Sequence, residues 1–254
     1  MNTTNANQTL GFDKFSECDY NLHWSFSNFN RMLMAAGQIA QLPYGSKVLE
    51  LGAGTSDLEN LVKKNFKRDD IEFVKIDGDA QYESDSSISV FDITSVDCAL
   101  FCALFGPYDA VVFMEVIEHL DREDAERVLA MIHNVLKPDG VMILTTPTPP
   151  YDALYEDRVW PLDHDVEFGL LELKSLVNKN FKINKEIGWS LEEREFNELL
   201  SHYSDLAIVY AKLKGAFPES YIRAIIASLA PVESNRQVFM VCKKRRARVR
   251  GRFA

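Results

Sequence analysis

Two carboxylates and an imidazole stand together in "EVIEHL" (115–120), directly after the apolar run "YDAVVFM". At i, i+3 and i+4, Glu115, Glu118 and His119 would share one face of a helical turn. Such a trio supports three chemistries. It can ligate a divalent ion through oxygen and nitrogen, move a proton through a group titrating near neutrality, or brace a neighbouring pocket. In the last case Glu118 would pair with a nearby cation such as Arg122. A second concentration lies in "VLELGAGTSDL" (48–58). Gly52 and Gly54 permit positive φ and close approach of a ligand to the backbone, and a helix starting just after them offers unpaired N–H groups. A dinucleotide fold would carry a third glycine where Asp57 stands. An acid at that place repels pyrophosphate, and Glu50 does the same from the other side. Glu50 favours a cation, such as an amino group or a sulfonium.

These residues need elements to hold them. "SKVLELG" (46–52), "IEFVKID" (71–77), "ISVFDI" (88–93), "YDAVVFM" (108–114) and "GVMILTTP" (140–147) are short runs rich in Val, Ile and Phe, the pattern of strands buried on both faces. Segments with helical apolar spacing separate them. "DREDAERVLAMIHNVLK" opens with Asp121 as N-cap and ends before Pro138 and Gly140. Residues 12–42 and 168–179 read as helical, 181–189 and 236–242 as strands, and 191–230 as a helical insertion before the last strand. The alternation predicts an α/β doubly wound, mostly parallel seven-stranded sheet with helices on both faces. Residues 1–242 are read as one domain, its core at 45–147, because about forty inserted residues are too few for a core of their own.

Bulk properties exclude some classes. The 254 residues carry a net charge of −10, yet "KKRRARVRGR" (243–252) holds seven positive charges and no negative one, so the rest of the chain sums to −17. An acidic body with a basic end is a poor generic nucleic-acid binder, though the tail by itself could touch phosphates; otherwise 243–254 is expected to be a disordered, solubilising end. No apolar run approaches a membrane span of ~20 residues, and "MNTTNANQTLGF" lacks a signal peptide's basic and apolar regions. Cys18, Cys98, Cys102 and Cys242 do not suggest a disulfide framework in a chain this long, and Cys98 and Cys102, one helical turn apart among apolar neighbours, are expected as buried core thiols rather than metal ligands. Together these features predict a cytoplasmic protein with no membrane partner.

"VLELGAGTSDL" resembles the first signature of class I S-adenosylmethionine-dependent methyltransferases, hydrophobic-hydrophobic-[ED]-hydrophobic-G-x-G-x-G, with Ser56 replacing the third glycine. The resemblance extends over about 45–147, through "EVIEHL" and "VLKPDGVMILTTP". It implies a Rossmann-like methyltransferase fold and S-adenosylmethionine as cofactor, with Glu50, Gly52 and Gly54 in its pocket. Asp77, at the end of the second predicted strand, would accept the ribose hydroxyls, with Asp79 as its rival. Asp92 would read the adenine amino group and Ile93 would pack on the ring. Glu115 would be the residue nearest the methyl donor.

The Glu-x-x-Glu-His pattern occurs in two subgroups of that family. In metal-free O-methyltransferases of small molecules, sugars and quinones, the segment only shapes the pocket. In small-RNA 2′-O-methyltransferases of the Hua-enhancer type, it joins a later histidine to bind a divalent cation. "DHDVEF" places His164 where that histidine would stand, so the resemblance implies Glu115, Glu118, His119 and His164 as a possible ligand set, better suited to Mn²⁺ than Mg²⁺. "TTPTPPYDALYEDRVWPLD" departs from the RNA enzymes' pattern, and the acidic body disfavours RNA. The expectation is therefore a methyltransferase acting on a hydroxyl of a small molecule or glycan, with His164, or else His119, as general base. The alternatives are a metal-dependent RNA enzyme and a non-catalytic adenosyl-binding protein. Tyr20, His23, Trp24, Tyr151, Tyr155, Arg158 and Trp160 are candidates for the acceptor's walls.

Overall fold

The computed structural model describes residues 22–54, 57–148 and 168–245, with side chains from Phe29 onward. His164, Cys18, Tyr20, Tyr151, Tyr155, Arg158, Trp160 and the tail beyond Arg245 lie outside these residues, as do the side chains of His23 and Trp24.

Strand propensity and double-sided burial produce one seven-stranded sheet in the order β3-β2-β1-β4-β5-β7-β6. Its strands are β1 (Lys47–Leu51), β2 (Glu72–Asp77), β3 (Ile88–Val90), β4 (Tyr108–Met114), β5 (Leu136–Pro147), β6 (Phe181–Ser190) and β7 (Gln237–Lys244). All neighbours run parallel except β7, which is antiparallel to both β5 and β6. Alternate residues feed two cores. Leu49, Val111, Phe113, Met142 and Met240 face one side, with Val128 and Ile132 of α4 (Arg122–Val135) and Leu173 of α5 (Leu170–Val177). Val48, Ala110, Val112, Ile143 and Phe239 face the other, against Ala35, Ala36 and Ile39 of α1 (Leu22–Ile39) and Leu58 of α2 (Leu58–Asn60). The predicted architecture is the one observed.

Local chemistry sets several boundaries. The Asp121 side chain accepts from Asp124 N–H at 2.8 Å, capping α4 as expected. β3 stops at Val90, short of the predicted residue 93, because Asp92 Oδ1 takes the Thr94 N–H at 2.8 Å and its hydroxyl at 2.7 Å and turns the chain away. α3 (Cys98–Leu104) lies at the periphery with Leu104 57% exposed, so Cys98 and Cys102 are half-buried rather than in the core. Cys242, in β7, is the buried one among the described cysteines.

The insertion forms α6 (Glu193–His202), α7 (Ser204–Leu213) and α8 (Glu219–Leu229), which pack on one another through Phe196, Leu199, Leu206, Ile222 and Ile226. Because β7 reverses direction, its end lies with the beginnings of the other strands. There Lys244 Nζ donates to Leu136 O at 2.6 Å, Arg245 Nε donates to Phe181 O at 2.6 Å, and His133 Nε2 meets Arg245 O at 3.0 Å.

Candidate active site

The site is built where β1, β2, β4 and β5 end, on both sides of the place where strand order reverses. The turn after β1 is held by backbone bonds to β2: Gly52 and Ala53 N–H donate to Ile76 O at 2.9 and 3.1 Å. Gly52 has φ +68°, and a Cβ there would stand 2.3 Å from Val116 Cγ2. The glycine is therefore required both by its backbone conformation and by the tip of β4 pressing on it. Gly54 follows at φ +49°, its N–H donating to Asp77 Oδ2 at 2.8 Å. Asp77 Oδ1 accepts from Asp79 N–H at 2.9 Å, so this carboxylate shapes the turn as well as facing its mouth. Each oxygen keeps a second lone pair for a hydroxyl donor. Tyr82, which sequence reasoning missed, places its hydroxyl 3.5 Å from where a Gly54 Cβ would lie. Burial, with help from Asp77 and Asp79, pushes its phenol above the ordinary range.

Further along the same edge, the bonds from Thr94 hold the Asp92 carboxyl below its usual range. Both of those bonds go to Oδ1. Arg127 of α4 fixes this loop by donating to Val96 O at 2.9 Å and to Thr94 O. Ile93 is half-buried beside it and packs against the core under β1.

On the other side of the switch point, Glu115 is the first residue after β4, and it takes a left-handed φ of +54°. Three contacts hold it there. Its N–H donates to Thr145 O at 2.9 Å, the Thr145 hydroxyl donates to Oε1 at 2.8 Å, and Arg31 Nη1 stands 3.2 Å from Oε2. Glu118 sits in the short 3₁₀ turn Ile117–His119 and is 1% exposed. The Thr146 hydroxyl donates to its Oε2 at 3.0 Å. Burial, then the charge of Glu115, pushes the Glu118 carboxyl up to about 8, so it is protonated at neutral pH.

The predicted helical face shared by Glu115, Glu118 and His119 does not form. Glu115 belongs to the strand tip, and its left-handed backbone breaks the turn before Ile117. Thr145 and Thr146, consecutive in β5, point to opposite sides of the sheet and draw the two carboxylates apart. Glu118 is buried while His119 is exposed. Arg122 binds Glu172 rather than Glu118. Among the described residues no three His, Cys, Asp or Glu side chains stand close enough to hold one ion.

The residues present fit S-adenosylmethionine. The glycine turn brings half-buried Gly54 beside Asp77 and the Tyr82 hydroxyl, Asp77 and Asp92 supply acceptors at two successive strand ends, and acids at 50 and 115 flank the turn where a phosphate would be repelled. A sequence profile described as a methyltransferase domain matches residues 23–208. The chain belongs to that family. Its fold is that of the class I S-adenosylmethionine-dependent methyltransferases, and the protein is an enzyme of that kind. A methyltransferase dependent on S-adenosylmethionine from Archaeoglobus fulgidus is 18% identical, with 89% of this chain and 100% of that one covered at a TM-score of 0.51. Coclaurine N-methyltransferase bound to N-methylheliamine and S-adenosylhomocysteine is 17% identical over 85% of this chain and 72% of that one, with a TM-score of 0.50. Phosphoethanolamine N-methyltransferase 2 of Haemonchus contortus, in complex with S-adenosyl-L-methionine, is 14% identical over 94% and 61% of the two chains, with a TM-score of 0.54. At such identities the likeness establishes the fold. Among curated proteins none matches the chain. No described helix of this methyltransferase is long and apolar enough to cross a membrane.

Proposed function

We propose that this methyltransferase acts on a hydroxyl group of a small molecule or glycan by direct in-line transfer, with a histidine taking the proton. When bound, the cofactor supplies a methyl group already activated on a sulfonium, so alignment carries most of the rate. In this reading Asp77 accepts the ribose hydroxyls, Asp92 Oδ2 accepts from the adenine amino group, Ile93 packs the ring, and Glu50 and Glu115 favour the cationic end. The observation that carries the reading is the contact of Val116 with Gly52. It supports an arrangement in which Glu115, clamped by Arg31 and Thr145, would stand between the bound cofactor and the part of the sheet over β4 and β5. His164 is the first choice of base and His119, exposed on the turn after Glu118, the second.

The test measures formation of S-adenosylhomocysteine with hydroxylated small molecules, amines and short RNAs, with and without EDTA. Transfer to a hydroxyl that persists in EDTA and is lost in His164→Ala or His119→Ala supports the proposal. Preferential transfer to amines would overturn it, and transfer to RNA 3′ ends abolished by EDTA and by Glu118→Ala would select the metal-dependent alternative. Tight cofactor binding without transfer to any acceptor would select the non-catalytic one.

A further inference from the structure

Two buried hydrogen-bond donors near the ends of β4 and β6 lack acceptors among the described residues. The Arg31 guanidinium carbon stands 5.9 Å from the ring centre of Trp189, at the end of β6. Arg31 Nε and Trp189 Nε1 are both shut off from solvent, and neither has a hydrogen-bond partner among the described residues. Trp189 is 1% exposed, so its indole N–H is deep in the protein. Each unmet buried donor costs about 1–3 kcal/mol. A folded chain tolerates two such donors in contact most readily where a ligand completes them.

The orientation of Arg31 narrows the ligand. Its Nη1 side is occupied by Glu115 at 3.2 Å. The guanidinium lies over the face of the indole ring, and Nε, which has no partner among the described residues, is left to donate to an acceptor such as a carboxylate oxygen. Neither Arg31 nor Trp189 can accept a hydrogen bond there, so the missing group is an acceptor on every side. The position is equally specific. Arg31 bridges the tips of β4 and β6, over the part of the sheet that the glycine turn, Asp77 and Asp92 leave unused.

We propose that Arg31 and Trp189 form an anchoring subsite for a carboxylate carried by the methyl acceptor. This rests on the methyltransferase reading above and specifies the substrate class, a carboxylated small molecule. Because Glu115 balances the Arg31 charge, the subsite derives its selectivity from hydrogen bonds within a dry environment rather than from net positive charge. The two residues position the acceptor and take no part in bond making.

The test follows the Trp189 indole N–H by ¹⁵N NMR in the S-adenosylhomocysteine-loaded protein during titration with benzoate, benzamide and inorganic phosphate. Trp189→Phe identifies the resonance. Benzoate is expected to shift it saturably, with benzamide and phosphate at least tenfold weaker. Arg31→Gln should weaken benzoate at least tenfold, Arg31→Lys should restore part of that loss, and Trp189→Phe, which keeps the ring over Arg31, should weaken benzoate severalfold when followed by calorimetry. Equal binding of benzamide, preference for phosphate, no saturable shift, or benzoate binding unchanged in Arg31→Gln would each overturn the subsite. S-adenosylhomocysteine affinity, measured on the same samples, reports independently on folding and on the methyltransferase reading.

Discussion

Val116 Cγ2 fills the space any side chain at Gly52 would need, 2.3 Å from the ideal Cβ position. The glycine turn and the tip of β4 thus pack closely on each other, and a methyl group at position 52 must displace the turn or Val116. Gly52→Ala should weaken S-adenosylhomocysteine at least ~10-fold, since the new side chain also meets the cost of a left-handed φ, about 1 kcal/mol or more. Adding Val116→Ala should recover part of the loss but not all of it. Calorimetry showing parental affinity in Gly52→Ala would rule out the coupling.

Glu118 gives the fold a dependence on pH. Its carboxyl titrates near 8 in the folded chain against an ordinary 4.5, so the folded state retains a proton that the unfolded chain has released. Stability should fall as pH rises from about 4.5 to about 8, and the loss should be complete above that. Glu118→Gln removes the effect. The variant should match the parent near pH 4 and exceed it near pH 9 by on the order of 2–4 kcal/mol, read from urea unfolding at each pH. Parallel pH profiles for the two proteins would contradict the burial assigned to this carboxyl.

Glu115 tests whether strain serves activity. Replacing it with glycine relieves a left-handed non-glycine residue, worth roughly 1–3 kcal/mol, while removing the bonds to Arg31 and Thr145, of similar size. Glu115→Gly should therefore melt within a few degrees of the parent but transfer methyl groups at least ~100-fold more slowly. A large fall in melting temperature would show that Glu115 is mainly a structural clamp.

Asp92 and Arg127 separate contact from support. Asp92→Ala should cost about 1–2 kcal/mol of S-adenosylhomocysteine binding, roughly tenfold, for one lost charge-assisted bond. Arg127→Gln leaves the proposed contact in place and frees only the loop it ties to α4, so a smaller loss is expected. If Arg127→Gln proved the more damaging, Asp92 would not be the adenine reader.

The sheet was legible because burial on both faces leaves a strong trace in β1, β4 and β5, whose apolar runs have few other uses. The end of β3 was overestimated, since an Asx turn at Asp92 overrode the β propensity of its neighbours. Asp77 could be found from its place at a strand end. Its bond to Gly54 N–H could not, because it joins residues 23 apart in sequence. The largest departure lay in "EVIEHL". Spacing alone suggests a helical face, whereas Thr145 and Thr146, on a strand contributed by another part of the chain, decide where each carboxylate goes. Arg31 and Trp189 carried no signal at all; an arginine in an amphipathic helix and a tryptophan in a strand read as ordinary surface and core.

The reversal of β7 has a practical meaning. Lys244 and Arg245 tie the last described residues to the starts of β5 and β6, at the edge of the sheet remote from Glu115. A fluorophore, affinity handle or surface linker attached beyond Arg245 would begin at the back of the enzyme. The protein can thus be immobilised from that end with its reaction face turned outward.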